Sequence, residues 1–194
     1  MSALWHALRV RAGFEQLVEV QLQRKGYEVL LPTYTPTLET ARSVKPVPLF
    51  RPYAFCRFSF DTRFPVTMTP GVDGVVGVGV EPVPVDDREI SALRQTLDSG
   101  LRIEPCPFPL KGALVRITRG PLRGVTGIHH ADRGGDRLIV SVTLLKRSIA
   151  VEIDRSWIKP VEPMPDSEWI RADLPKSEKI DGISKPSTGP RVSG

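Results

Sequence analysis

The 194-residue chain is poor in the residues that staple proteins or hold metals: it has two cysteines, Cys56 and Cys106, and three histidines. A disulfide framework and a zinc knuckle both lack their raw material, so reduced, buried thiols are expected. No run approaches the roughly 20 consecutive apolar residues that span a bilayer. The start, Met1-Ser2-Ala3-Leu4-Trp5-His6, has no basic segment followed by an apolar stretch, so no secretory signal is expected and a cytoplasmic location is. With 40% hydrophobic and 25% charged residues, the composition is that of a soluble globular protein rather than a disordered one.

Patterns that carry catalysis are equally thin. His129 and His130 are adjacent, so on a strand they point to opposite faces and do not share a metal, and His6 stands alone. Asp86, Asp87 and Glu89 resemble a carboxylate cluster, but helix capping accounts for two of the three. Gly74, Gly77 and Gly79 sit among valines with no following lysine, which is a poor phosphate loop. We assign no catalytic residue, no metal site and no cofactor, and do not read the chain as an enzyme.

Proline and glycine are plentiful, at nineteen and sixteen residues, and they are unevenly placed. Glu104-Pro105-Cys106-Pro107-Phe108-Pro109 blocks a helix and favours an extended linker. This gives domains at 1–102 and 111–162, a linker at 103–110, and a disordered tail at 163–194, where prolines, serines and charges leave little hydrophobic periodicity. Charge divides along the same line. Residues 1–100 hold eleven Lys+Arg and eleven Asp+Glu, whereas residues 111–160 hold ten against four. A basic patch on a small β domain suits RNA or an acidic protein surface, and equally a solvated face.

In the first domain Leu8 and Val10 alternate with Arg9 and Arg11 as in a half-buried strand. Phe14, Leu17, Val18 and Leu22 then recur at helical spacing up to Gly26, a suitable C-cap. Residues 27–31 read as a strand, 33–46 as a loop or hairpin, 59–71 as irregular, and 72–80 as a buried valine-rich strand. Asp86 is a good N-cap with Glu89 placed for a capping box, and Ile90, Leu93 and Leu97 form one stripe. The order predicts an α+β sandwich with helices on a mainly antiparallel sheet. In the second domain four alternating strands lie around 113–118, 125–128, 138–144 and 149–153, separated by Gly120-Pro121 and Gly134-Gly135 turns. Short antiparallel strands so closely spaced predict a small SH3-like β-barrel.

From about Trp5 to Val161 the chain resembles the NusG family of transcription elongation factors. The resemblance rests on Trp5, Gly13-Phe14-Glu15, Leu49-Phe50 with Tyr53 and Phe55, Pro70-Gly71-Val72 and Pro82-Val83-Pro84-Val85. In the second domain it rests on a KOW-like series: Val115-Arg116-Ile117, Gly120-Pro121-Leu122, Gly124, Gly127, Val140-Ser141-Val142, Arg147 and Val151-Glu152-Ile153. It implies a monomer that docks on the clamp helices of the largest RNA polymerase subunit and makes elongation more processive without chemistry of its own. It also implies contact with the nucleic acid of the elongation complex, and no membrane association.

Carried over by position, the docking patch comprises Trp5, Phe14, Phe50, Pro52, Tyr53 and Phe55. Arg116, Arg119, Arg123, Leu145, Lys146 and Arg147 form the second domain's partner or nucleic-acid surface, where general members of the family bind Rho or the small ribosomal subunit. Two departures are visible. Phe50-Arg51-Pro52-Tyr53 stands where the family has Phe-Pro-Gly-Tyr, and Leu145-Lys146-Arg147 replaces an aromatic before Gly-Arg. They point to a specialised antiterminator acting on particular operons. The alternative is an RNA-binding or ribosome-associated KOW protein that does not dock on polymerase.

Overall fold

The alternation at the start of the chain is realised as β1 (Leu4–Val10), whose Leu8 and Val10 are buried while Arg9 faces solvent. The structure, a computed structural model, describes residues 2–36, 45–79, 81–106, 108, 112–132 and 135–161. The expected tail therefore lies outside the described residues, as do parts of the expected linker. Gly13, at φ +86°, turns the chain into α1 (Glu15–Arg24), which buries Val18 and Leu22. Leu17, counted in the helical stripe, is instead 48% exposed.

Then come β2 (Glu28–Leu30), β3 (Thr33–Tyr34), β4 (Val47–Pro48) and β5 (Tyr53–Phe58). The stretch 59–71, read as irregular, holds a 3-10 turn at Phe60–Thr62 and α2 (Arg63–Thr67). Ser59 and Thr62 cap each other there, which local polar chemistry favours over extended chain. The valine run is divided into β6 (Val72–Val75) and β7 (Gly77–Val78), the latter paired with β8 (Glu81–Pro82). Its glycines let the chain fold back, so Val78 is 77% exposed rather than buried. The first sheet is wholly antiparallel, in the order β2-β5-β1-β6.

Asp86 caps α3 (Asp87–Asp98) by accepting the Arg88 N–H at 2.7 Å, and Ile90 and Leu93 are buried. Beyond it lie β9 (Ile103–Cys106), β10 (Ala113–Ile117), β11 (Thr126–Asp132), β12 (Gly135–Val142), β13 (Arg147–Glu152) and β14 (Ile158–Pro160). They form a second antiparallel sheet in the order β14-β10-β11-β12-β13-β9. The first four residues of the expected linker are thus an edge strand, with Cys106 opposite Ser148 and Ile103 opposite Val151.

The fold is a mixed α and β architecture of antiparallel sheets with few helices. One apolar cluster runs from Trp5, Phe50, Phe55, Ile90 and Leu93 through Val115, Leu138, Val140 and Ile149. A second joins α1 to the opposite face of the first sheet through Leu8, Val10, Val18, Leu22, Cys56 and Phe58. Among the described residues no helix is long and apolar enough to cross a membrane.

Candidate interaction surface

The turn between β4 and β5 and the end of β1 are tied together by backbone hydrogen bonds. Tyr53 N–H donates to the Phe50 carbonyl and Val10 N–H to the Pro52 carbonyl, both at 2.8 Å. Register places Arg9 directly opposite Tyr53, so the two side chains share a face. Arg11 N–H reaches the Gly71 carbonyl at 2.8 Å, and Phe14 N–H reaches the Arg11 carbonyl at 2.9 Å. Gly71, at φ +96°, lies flush against Phe14, where an added Cβ would come within 3.0 Å of its ring. Glu15 fastens the start of α1: one carboxylate oxygen accepts the Gly13 N–H at 2.8 Å.

These bonds divide the six residues expected in a docking patch. Phe14, Pro52 and Tyr53 are half-buried and open at this end of the sheet. Trp5, Phe50 and Phe55 are 4%, 1% and 0% exposed. Phe50 and Phe55 pack edge to face with centroids 5.8 Å apart, and the Arg94 guanidinium lies 4.8 Å from the Trp5 ring centre. In this arrangement those three rings belong to the core and offer no surface, because a large ring is worth more buried against its neighbours than left on a rim.

In the second half Arg116, Arg119, Arg123, Lys146 and Arg147 are exposed and make no ion pair among the described residues. Leu145 is half-buried against the main cluster. Lys146 is left-handed at φ +50°, at the turn into β13. His129 and His130 do sit on one strand, and His129 is engaged by Asp136 at 2.6 Å.

Contacts between α3 and the second sheet were not readable from sequence. Glu89, placed for a capping box, instead accepts the Thr143 N–H at 3.1 and 3.3 Å. Burial pushes its carboxyl above the usual carboxylate range, partly offset by that bond. Gln95 donates to the Pro121 and Arg123 carbonyls, both at 3.0 Å. The only sequence signal was a polar side chain on a helix face otherwise turned inward.

Residues 3–94 match the family model described as "Transcription termination factor nusG". The chain is 29% identical over 185 residues to the Transcription termination/antitermination protein NusG of Thermus thermophilus, covering 81% of this chain and 98% of that protein. A solved structure of Thermotoga maritima NusG aligns over 84% of this chain and 99% of its own, at 20% identity and a TM-score of 0.49. A solved MjSpt4:Spt5 complex aligns over 83% of this chain and 100% of its own, at 15% identity and a TM-score of 0.27. With the family model matched over residues 3–94 and a relative aligned along nearly its whole length, the chain is similar to the NusG family in sequence.

Proposed function

We propose that the protein acts in transcription elongation, docking on the clamp helices of the largest RNA polymerase subunit and promoting processive, antiterminated transcription of particular operons. The observation that carries this reading is the match of residues 3–94 to the NusG family model. Half-buried Phe14, Pro52 and Tyr53 at one end of its sheet supply the apolar contact. Rings of this kind bury a large area at low entropic cost, as interface hot spots require. A factor that binds the elongating conformation of its partner more tightly than the paused one shifts the population toward elongation without catalysis.

In this reading the second sheet is an SH3-like KOW unit. Its exposed Arg116, Arg119, Arg123, Lys146 and Arg147, with Leu145 beside them, serve a second partner: Rho, the small ribosomal subunit, or nucleic acid of the elongation complex. The test is co-purification of the full chain with core RNA polymerase, comparing wild type with Tyr53→Ala after circular dichroism has shown that the variant folds. Retention that the variant loses supports docking. If wild type is not retained at moderate salt, the docking reading falls. The basic second half, with ten Lys+Arg against four Asp+Glu over residues 111–160, then favours an RNA-binding protein instead.

A further inference from the structure

We propose that the open end of the first sheet recognises an acidic protein face, with Arg9, Arg11 and Arg51 as its specificity-determining cations. This rests on the docking reading and gives the chemistry of the partner's surface: carboxylates flanking an apolar contact.

The turn and strand geometry described above places the three arginines around one end of the sheet. Arg9 lies opposite Tyr53. The Arg11 guanidinium stands 5.4 Å from the Phe14 ring centre. The Arg51 side chain is 59% exposed, and its Nε lies 4.0 Å from a Glu15 carboxylate oxygen. Each cation thus borders one of the half-buried apolar groups or the turn that carries Pro52. Two carboxylates lie at the same end, Glu15 beside Arg51 and Asp73 at the β6 bulge next to Arg9, so the three cations outnumber them by one.

Glu15 does not cancel that excess. It is 3% exposed, one oxygen is taken by the Gly13 N–H, and the other is buried with no hydrogen-bond partner. At 4.0 Å the Arg51 contact is too long for a hydrogen bond but close enough for attraction. Glu15 therefore draws the Nε edge of the guanidinium inward, leaving the terminal nitrogens for a bidentate partner. Arg9 and Arg11 make no ion pair among the described residues.

Guanidinium groups pair with phosphate as well as carboxylate, and the apolar groups decide between them. Binding of single-stranded nucleic acid relies on aromatic faces free to stack with bases. Here Phe14 is pressed against Gly71, and Tyr53 is packed against the main apolar cluster. Half-buried rings with a charged rim suit a shaped protein contact, in which the rim charges set encounter rate and orientation.

The experiment measures binding of the full chain to core RNA polymerase free of nucleic acid, over a salt series. Wild type is compared with Arg9→Glu/Arg11→Glu/Arg51→Glu and with Arg88→Glu, an exposed charge control on α3. Because Arg51→Glu sets a second carboxylate beside Glu15, the set includes Arg9→Ala/Arg11→Ala/Arg51→Gln, and each variant is checked by thermal melting. The triple reversal is expected to bind roughly 10-fold more weakly or worse at low salt, mainly through slower association, with the neutral triple in between and Arg88→Glu unchanged. Wild-type binding that the arginine variants reproduce would overturn the acidic-face proposal and leave docking standing; no wild-type binding would remove both. A short single-stranded DNA runs in parallel. Loss of DNA binding with polymerase binding intact would also overturn the proposal, assigning the cations to nucleic acid.

Discussion

Gly127, the second residue of β11, gives the sharpest test of how tightly the second sheet is built. A Cβ there would sit 2.4 Å from the Ile139 carbonyl oxygen and 3.0 Å from Leu138 Cδ1. An ordinary close carbon–oxygen approach is about 3.3 Å, so β11 and β12 have to part by about 0.9 Å. The obstacle is backbone, which cannot swing aside as a side-chain tip does. Gly127→Ala therefore combines overpacking with one or two weakened ladder hydrogen bonds, about 2–4 kcal/mol in all. Gly124 is the matched control: at φ +93° its alanine variant suffers backbone strain, but nothing lies within 4 Å of the new Cβ. That strain alone is about 1–2 kcal/mol. Urea unfolding followed by far-ultraviolet circular dichroism and tryptophan fluorescence measures both. Gly127→Ala is expected to lower the midpoint more than Gly124→Ala, with a melting-temperature drop of roughly 2–4 °C per kcal/mol. If Gly127→Ala lies within about 0.5 kcal/mol of wild type, the close approach of the two strands is not as described.

Two further expectations concern ionisation. Burial, the leading cause, raises the Glu89 carboxyl, so the fold favours its protonated form. That contribution is complete below the unfolded-state value and is lost as pH rises through the folded one. Glu89→Gln keeps an acceptor for Thr143 N–H and removes the titration, so its stability relative to wild type should increase from about pH 4 to pH 7 in urea midpoints. A constant difference would sink the linkage. The Cys56 thiol is pushed up to about 12 and the Cys106 thiol to about 11, both mainly by burial. Neither should react with an aromatic disulfide reagent at about pH 8 in the native protein, and both should react in urea. A native thiol reacting at the rate of free cysteine would contradict this.

Where structure follows local pattern, the residues announce it. The Leu8/Val10 alternation, the Asp86 cap and the alternating runs of the second half became elements because burial and capping act over a few neighbours. What distant residues decide was hidden. Phe50 looks like a rim aromatic from its turn, yet the cluster closing over it leaves 1% exposed. Glu89 has capping-box spacing, but the Thr143 N–H, in the turn that follows β12, claims its carboxylate. Pro105 argued for a linker, although a strand at a sheet edge is hydrogen-bonded on one side only and tolerates proline on the other. Of the proposed surface, Phe14, Pro52 and Tyr53 were legible as residue types. The Arg51–Glu15 approach depends on how a turn meets a helix start, which no spacing encodes.

The position of β9 has a consequence for how the chain is made. It leaves the ribosome before every other strand of its sheet, yet its partner β13 lies 42 to 48 residues further along. At about 5–20 residues per second, β9 waits roughly 2–10 s for that partner. During this interval its backbone donors and acceptors have water or another nascent chain to bind. Pro105 removes one donor from this waiting segment, lowering its value as a template for intermolecular pairing. A fragment cut at residue 111 inherits the converse problem: β13 is made with its neighbour gone, and its bared edge can recruit a second copy.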